Sequence, residues 1–176
     1  MKIEILIGGF GGQGIMSLGK IIALGALKEK KVVTWFPSYG AEIRGGTAHC
    51  FVKISNKFIS SPFIEMVDFV IIFNQSSLDK FEKNLKKGGI LIGNSDFIKR
   101  GSQRKDIKKI MLPLNEIALE CGNIKTANIV ALGVLVKISN FFKKKNIVEV
   151  LKEVFKNKEI LEKNLKALEE GLKWKE

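Results

Sequence analysis

Residues 9–14 read G-F-G-G-Q-G and form a glycine-rich spacing that could hold an anion. They fit the pattern G-x-G-x-x-G between a β-branched run and an amphipathic segment, the context in which this motif is informative. Glycine permits a positive φ and lets backbone N–H groups and the positive end of a helix approach a phosphate or carboxylate. A turn that only packs the helix closely against a sheet would use the same glycines, so both interpretations stay open.

The end of the second predicted strand argues against one common ligand of such loops. In nicotinamide-binding domains an acidic residue normally ends this strand and holds the ribose hydroxyls. Here residues 35–37 read W-F-P. A self-contained NAD-dependent dehydrogenase is therefore disfavoured.

Residues 37–50 read P-S-Y-G-A-E-I-R-G-G-T-A-H-C and form a second functional-looking segment. Its glycines, proline and opposite charges specify a particular backbone path, and it follows the second strand, at the edge where α/β folds place ligands. Arg44 could bind a phosphate or carboxylate through two parallel hydrogen bonds. Alternatively, Arg44 pairs with Glu42 on the surface or with an adjoining subunit.

Few residues of this chain could carry redox or acid–base chemistry. Cys50 and Cys121 are the only cysteines, so the chain cannot supply the four thiolates of an iron–sulfur cluster. His49 is the only histidine, which excludes a multi-histidine zinc site. Adjacent side chains of a strand point to opposite faces, so His49 and Cys50 are predicted to be structural. If the chain belongs to an enzyme, the reactive cofactor sits in another polypeptide.

Apolar periodicity predicts the elements that position these segments. A strand at 2–7, a helix after the glycine loop and a strand at 32–36 form a βαβ unit, which implies parallel strands. Residues 48–54 and 57–59 are expected to pair as a hairpin around Ser55 and Asn56. Further strands are predicted at 69–73, 90–92 and 108–112, helices at 76–85, 115–120, 127–138, 147–155 and 159–172, and a break at Gly88 and Gly89. The expected fold class is α/β: a Rossmann-like, three-layer αβα arrangement with a mostly parallel sheet, a hairpin and a helical C-terminal region.

Composition supports one folded domain over residues 1–176. The chain has 176 residues, of which 45% are hydrophobic, enough to form a core. No apolar run is long enough to span a membrane, and Glu4 interrupts the opening apolar run, so no signal peptide and a cytoplasmic location are expected.

The net charge of +12 favours acidic partners. Only Arg44, Arg100 and Arg104 among the 30 basic residues are arginine, and the later lysines alternate with glutamates as on solvated helices. A nucleic-acid-binding role is therefore disfavoured.

Four ordered segments together resemble the gamma subunit of 2-oxoacid:ferredoxin oxidoreductases. They are G-F-G-G-Q-G at 9–14, P-S-Y-G-A-E-I-R-G-G-T-A at 37–48, S-P at 61–62 and T-A-N-I-V-A-L-G at 126–133. The resemblance spans nearly the whole chain. The form P-S-Y-G-x-E-x-R-G-G is more similar to the 2-oxoglutarate branch than to the pyruvate or indolepyruvate branches.

The resemblance implies a hetero-oligomeric enzyme that oxidatively decarboxylates a 2-oxoacid, forms the acyl-CoA and passes electrons to ferredoxin. It implies thiamine diphosphate and Mg bound chiefly between alpha and beta subunits, and iron–sulfur clusters in beta or delta subunits. Coenzyme A is the implied co-substrate. The gamma chain would pack near the substrate and coenzyme A, with no cofactor of its own, no metal, no nucleic acid and no membrane contact.

The match carries over residues of the two loops but no catalytic residue. Asn128, which lies near the start of a predicted helix, is predicted to cap or hydrogen-bond the glycine loop, although helix packing would explain its segment equally well. The runner-up function is a free-standing nucleotide- or CoA-binding regulatory module. The predicted cofactor- and substrate-contacting residues are Gly9, Gly11, Gly12, Gln13, Gly14, Ser38, Tyr39, Gly40, Glu42, Arg44, Gly45, Gly46 and Thr47.

Overall fold

The computed structural model describes residues 1–39 and 47–175, with Tyr39 described by its backbone alone. All the described strands lie in the first two thirds of the chain, interrupted by two α-helices, and the last third is helical. The strands are β1 (Lys2–Phe10), β2 (Val32–Tyr39), β3 (Thr47–Ser55), β4 (Val67–Ile72), β5 (Leu85–Asn94) and β6 (Lys108–Leu112). The helices are α1 (Ile15–Lys28), α2 (Gln75–Phe81), α3 (Leu114–Glu120), α4 (Ala127–Ser139), α5 (Lys144–Val154) and α6 (Lys158–Leu172).

The six strands form one sheet in the order β2-β3-β1-β4-β5-β6. Strands β1, β4, β5 and β6 are parallel, whereas β3 is antiparallel to both of its neighbours. β1 and β2 therefore run in the same direction, as the βαβ unit predicted, but β3 lies between them. The α/β class, the mostly parallel sheet and the helical C-terminal region are confirmed.

The predicted hairpin of residues 48–54 with 57–59 is wrong. Both edges of β3 are already occupied, by β1 on one side and β2 on the other, so residues 57–59 have no strand to pair with. The buried Lys53 of β3 instead ties the following segment to the sheet through its side chain, because its Nζ donates 2.8 Å hydrogen bonds to the carbonyls of Ser61 and Phe63. The antiparallel pairing in the sheet comes from β3 itself.

The predicted break at Gly88 and Gly89 is also wrong, since both residues lie inside β5. Gly88 has a φ of +76°, and its N–H donates to the Asp106 carbonyl at 2.7 Å. A register shift between β4 and β5 at Val67 and Phe69 accommodates this turn of the backbone. The glycines thus bend the strand without ending it.

Helices cover the two faces of the sheet unequally. Alternate residues of β3, among them Cys50 and Val52, pack into a large core with α1 and the C-terminal helices. On the other face, Leu6 and Val70 pack into a smaller core with α2. This alternation is what a strand between two layers requires, and it leaves the β2–β3 side of the second face without a helix among those described.

Helix α4 carries the 126–133 segment and is buried on nearly all sides. Side chains at Gly133 and Gly171 would collide with the backbone of the facing helix, so these glycines let α4 and α6 pack with their backbones in close approach. Among the described residues, no helix is long and apolar enough to cross a membrane.

Candidate functional site

The two sequence motifs meet at the edge of the sheet formed by the carboxyl ends of β1 and β2 and the amino end of β3. Phe10, inside the glycine motif, lies opposite Thr47. Ser38 lies opposite His49, which in turn lies opposite Gly8 on β1. Strand β3 therefore brings residues of both motifs side by side, although 22 residues separate the two motifs along the chain.

Packing and backbone conformation explain three of the four glycines in the motif. A side chain at Gly9 would lie 2.6 Å from Ile15 and 2.7 Å from Gln13. Gly12 and Gly14 have φ values of +91° and +74°, which other residues rarely adopt. Gly11 differs, because a Cβ there would meet no atom of the described residues within 4 Å and its φ is not in the left-handed region. Nothing within the described chain requires glycine at this position.

The Gln13 side chain connects the glycine loop to the neighbouring β4–α2 turn through hydrogen bonds. Its Oε1 accepts hydrogen bonds from the Phe10 N–H at 2.7 Å and from Asn74 Nδ2 at 3.1 Å. Its Nε2 donates to the Phe73 carbonyl at 3.5 Å. These three bonds fix the Gln13 side chain within the protein, where it stabilises the conformation of the glycine loop.

Asn74 is a supporting residue that the sequence reasoning missed. Its Oδ1 accepts from the Ser77 N–H at 2.9 Å and so caps the N-terminus of α2. The signal was present, because an asparagine between an apolar strand and a helix is a typical N-cap. Through Gln13, this cap connects the α2 layer to the glycine loop.

Asn128 supports the loop from the other face. Its Nδ2 donates to the Gly14 carbonyl at 3.1 Å, and Asn128 is buried. The predicted hydrogen bond between this residue and the glycine loop is confirmed.

His49 and Cys50 point to opposite faces of β3, as the strand geometry predicted. The His49 ring packs against Phe81 at a centroid distance of 4.8 Å, and its Nδ1 has no hydrogen-bond partner in the described part of the chain. Burial, with the nearby charge of Lys80, holds the pKa of His49 below its usual 6.5. Burial raises the pKa of the Cys50 thiol to about 12. Neither side chain has the environment of a catalytic nucleophile or its base.

Two open clefts flank the loop. One has a volume of 360 Å³ and lies on the α1 side, where Met16, Ser17 and Ala48 contribute to its wall. The other has a volume of 500 Å³ and lies on the α2 side, where Asn74, Ser76 and Phe97 line it. Phe10 and Gly11 line both clefts, so the loop glycine that packing among the described residues does not explain lies between them.

Part of the predicted site lies outside the described residues. Gly40, Glu42, Arg44, Gly45 and Gly46 fall there, and only the backbone of Tyr39 is described. Within 1–39 and 47–175, no three His, Cys, Asp or Glu side chains are grouped so as to hold a metal ion. The described edge thus offers backbone groups, hydroxyls and apolar walls.

The chain has a glycine turn at the N-terminus of its first helix, on an open α/β sheet. Its second strand ends in Ser38 and Tyr39, not in the acidic residue that holds the ribose in nicotinamide-binding domains. These features define a Rossmann-like domain without the nicotinamide-binding motif. Comparison with known proteins gives the particular family. The chain belongs to the pyruvate ferredoxin/flavodoxin oxidoreductase family, whose model matches residues 4–174.

The similar curated proteins are subunits of oxidoreductases with different substrates. The chain is 35% identical, over 98% of its length, to ketoisovalerate oxidoreductase subunit VorA of Methanothermobacter marburgensis, and it spans only 36% of that protein. It is 34% identical, over 97% of its length, to 2-oxoglutarate synthase subunit KorC of Methanocaldococcus jannaschii, of which it covers 92%.

Solved structures share the fold. The gamma subunit of a keto/oxoacid ferredoxin oxidoreductase from Geobacter sulfurreducens superposes with a TM-score of 0.87 at 28% identity, covering 97% of this chain and 94% of that one. A 2-oxoglutarate:ferredoxin oxidoreductase from Magnetococcus marinus, solved with 2-oxoglutarate, coenzyme A and succinyl-CoA, gives 0.88 at 26% identity. That match covers 97% of this chain and 30% of the other.

Proposed function

We propose that this chain, as one domain of residues 1–176, is the gamma subunit of a multisubunit 2-oxoacid:ferredoxin oxidoreductase. In this proposal the complex oxidatively decarboxylates 2-oxoglutarate, transfers the succinyl group to coenzyme A and passes the electrons to ferredoxin. The observation that carries the proposal is the meeting of the two motifs at one sheet edge, with Gly11 between two open clefts. The names of the relatives support the reaction class.

The role of this chain is to form one wall of the substrate and coenzyme A cavity. The backbone of the glycine loop and the N-terminus of α1 present N–H groups and a positive dipole end, which favour a phosphate or a carboxylate. Glycine at position 11 allows such a group to approach the backbone closely. The proposed contact residues are Gly9, Gly11, Gly12, Gln13, Gly14, Ser38, Tyr39, Gly40, Glu42, Arg44, Gly45, Gly46 and Thr47.

The redox cofactors belong to partner subunits in this proposal. Cys50 and Cys121 are both buried and far too few to ligate an iron–sulfur cluster, so this chain's residues do not fit such a group. Thiamine diphosphate, Mg and the clusters are assigned to alpha, beta or delta subunits. This chain's own contribution is binding and orientation.

Arg44 is the residue whose charge could bind the ligand most strongly. A guanidinium binds a CoA phosphate or the distal carboxylate of 2-oxoglutarate through two hydrogen bonds, which lysine cannot reproduce. We expect Arg44→Lys and Arg44→Ala to raise the KM for one of these two substrates in the assembled complex. Unchanged KM values and turnover would assign Arg44 instead to a pair with Glu42 or with a neighbouring subunit.

The choice of 2-oxoglutarate rests on the 37–46 sequence form and on similarity to subunits named KorC. Other relatives are named for ketoisovalerate, or for pyruvate and ketoisovalerate together, so these two acids are the alternative substrates. The deciding experiment purifies the complex from the native host without oxygen. CoA-dependent viologen reduction is then measured with 2-oxoglutarate, pyruvate and ketoisovalerate. A preference for either of the last two acids would overturn the 2-oxoglutarate assignment.

A free-standing CoA-binding module is the second candidate. It is favoured by the fact that Gln13 and Asn128 hold the loop within this chain alone. Calorimetric titration of the purified chain with coenzyme A separates the two. Tight binding by the isolated chain, together with recovery of the chain without thiamine- or cluster-containing partners, would favour the module.

A further inference from the structure

A set of exposed apolar side chains lies on the same face of the sheet as α2, at the β2–β3 side, which α2 does not cover. We define the aromatic patch as Val32 and Phe36 on β2 together with Phe58 and Phe63 in the segment that follows β3. Phe58 and Phe63 are 87% and 80% exposed, and the rings of Phe36 and Phe63 lie 6.4 Å apart. Two exposed aromatic rings as close together as those of Phe36 and Phe63, with a further exposed ring at Phe58 five residues earlier in the chain, are typical of a docking site.

The patch is held in shape by buried interactions beneath it. Lys53 is buried, and its Nζ lies 3.6 Å from the Glu4 carboxylate while donating to the carbonyls of Ser61 and Phe63. The Phe63 N–H donates to Ser61 Oγ at 3.2 Å. These bonds fix the backbone that presents Phe63 to solvent. A preorganised aromatic anchor loses little conformational entropy when it is covered.

The neighbouring edge of the sheet has little of the usual protection. β2 is an outer strand of the sheet, and its sequence V-V-T-W-F-P-S-Y has no charged residue. Outer strands of free-standing sheets are normally protected by charges, prolines, bulges or a covering element, and of the protecting residue types β2 contains only Pro37. Val32 and Phe36 are exposed on this strand. The edge and the patch therefore have the character of a surface that is covered in the working assembly.

We propose that the aromatic patch docks the larger polypeptide of the same oxidoreductase, through an apolar face bordered by acidic side chains; this inference rests on the proposed function. The chain spans only 36% of the VorA relative and 30% of the Magnetococcus marinus chain, so in those proteins further polypeptide is covalently joined to this domain. Where the domain is a separate chain, no covalent link holds it to that further polypeptide, so noncovalent contacts between their surfaces must do so. The net charge of +12 favours an acidic partner and disfavours pairing of two copies of this chain.

The test measures the dissociation constant between this chain and the purified larger subunits of its own complex. Phe58→Ser with Phe63→Ser removes the two most exposed aromatic anchors without opening the core, so the variant is expected to fold normally. Leu27→Ser with Leu119→Ser is the matched control, because these leucines are 55% and 59% exposed on helices at the other face of the sheet. We expect the phenylalanine pair to weaken binding by about tenfold or more, as loss of interface hot spots does, and the leucine pair to leave it within about twofold.

A photo-crosslinking residue at position 63 identifies the occupant. The expected product joins this chain to the larger subunit within the active complex. A crosslink to a second copy of this chain, or unchanged affinity in the phenylalanine variant, would overturn the docking proposal while the enzyme function stands. Failure of the unmodified chain to bind any such subunit would overturn both.

Discussion

The side-chain amide of Asn128 donates a 3.1 Å hydrogen bond to the carbonyl of Gly14, across 114 residues of sequence. The same carbonyl accepts the first hydrogen bond of α1, from the Leu18 N–H at 2.9 Å. Asn128 therefore connects the first turn of buried α4 to the point where the glycine loop becomes a helix. This contact joins the first and the last of the recognisable sequence motifs.

Replacing Asn128 should destabilise the fold in a graded way. Asn128→Ala removes a buried hydrogen bond and is expected to lower the free energy of unfolding by about 1–2 kcal/mol. Asn128→Asp should cost more, because it places a carboxylate oxygen against the Gly14 carbonyl. Urea unfolding at neutral pH measures both variants, with the exposed Lys137→Ala in the last turn of α4 as control. Equal stability of all three variants would show that helix packing alone explains this segment.

Two glycines of the loop should respond differently to alanine. Gly14→Ala is expected to lower the free energy of unfolding by about 2 kcal/mol or more, because Gly14 has a φ of +74° and a Cβ would collide with the Asn128 amide. Gly11→Ala should change it by no more than about 0.5 kcal/mol, since its Cβ enters open space.

The same Gly11→Ala variant separates ligand binding from packing. If a phosphate or carboxylate approaches the loop, the added methyl group should raise the KM for coenzyme A or for the 2-oxoacid severalfold in the assembled complex. Steady-state kinetics with each substrate varied in turn gives the answer. Normal kinetics in a stable variant would assign the loop to packing only.

Stability should fall in acid through the carboxylate of Glu4. Burial alone would raise the pKa of Glu4, but hydrogen bonds and charge from Lys2 and Lys86, whose Nζ atoms lie 2.8 Å and 3.0 Å away, hold it below its usual 4.5. A lowered pKa in the folded state stabilises the fold above pH 4.5, and this contribution is lost as the pH falls through the lowered value.

Glu4→Gln tests this contribution. It should lower the free energy of unfolding at pH 7 by about 3 kcal/mol, because the charge of the buried Lys53 loses the Glu4 carboxylate that lies 3.6 Å away. The difference from the unmodified chain should shrink below pH 4.5. Chemical unfolding between pH 7 and pH 3 measures it, with the exposed Glu65→Gln as control. A difference that stays constant with pH would contradict the ionic origin.

Both thiols should be unreactive in the folded chain. Burial raises the pKa of Cys50 to about 12 and also raises that of Cys121, and both side chains are buried away from a reagent in solution. An aromatic disulfide reagent should therefore react with two thiols only after denaturation. Cys50→Ala assigns the remaining signal to Cys121. A thiol that reacts rapidly in the native protein would contradict the structural role given to Cys50.

The sequence alone was sufficient to predict the features that depend on the conformation of the backbone within a short segment. Strand β1, the glycine turn and α1 follow from apolar periodicity and from glycines whose positive φ is encoded at the position itself. The α/β class, the family and the lack of cluster ligands followed from the same residues. These properties need only a residue and its near neighbours along the chain.

Tertiary structure decided which strands and side chains meet. Residues 57–59 are strand-like by sequence, yet they do not pair because β1 and β2 already occupy both edges of β3. Gln13 supports the loop only because the Asn74 turn lies beside it, and Ser38 meets His49 only because β3 separates β1 from β2. Such contacts form because segments that are distant along the chain compete for the same hydrogen bonds and the same buried area. The outcome depends on the relative free energies of the whole arrangements, so it cannot be predicted from a local sequence pattern.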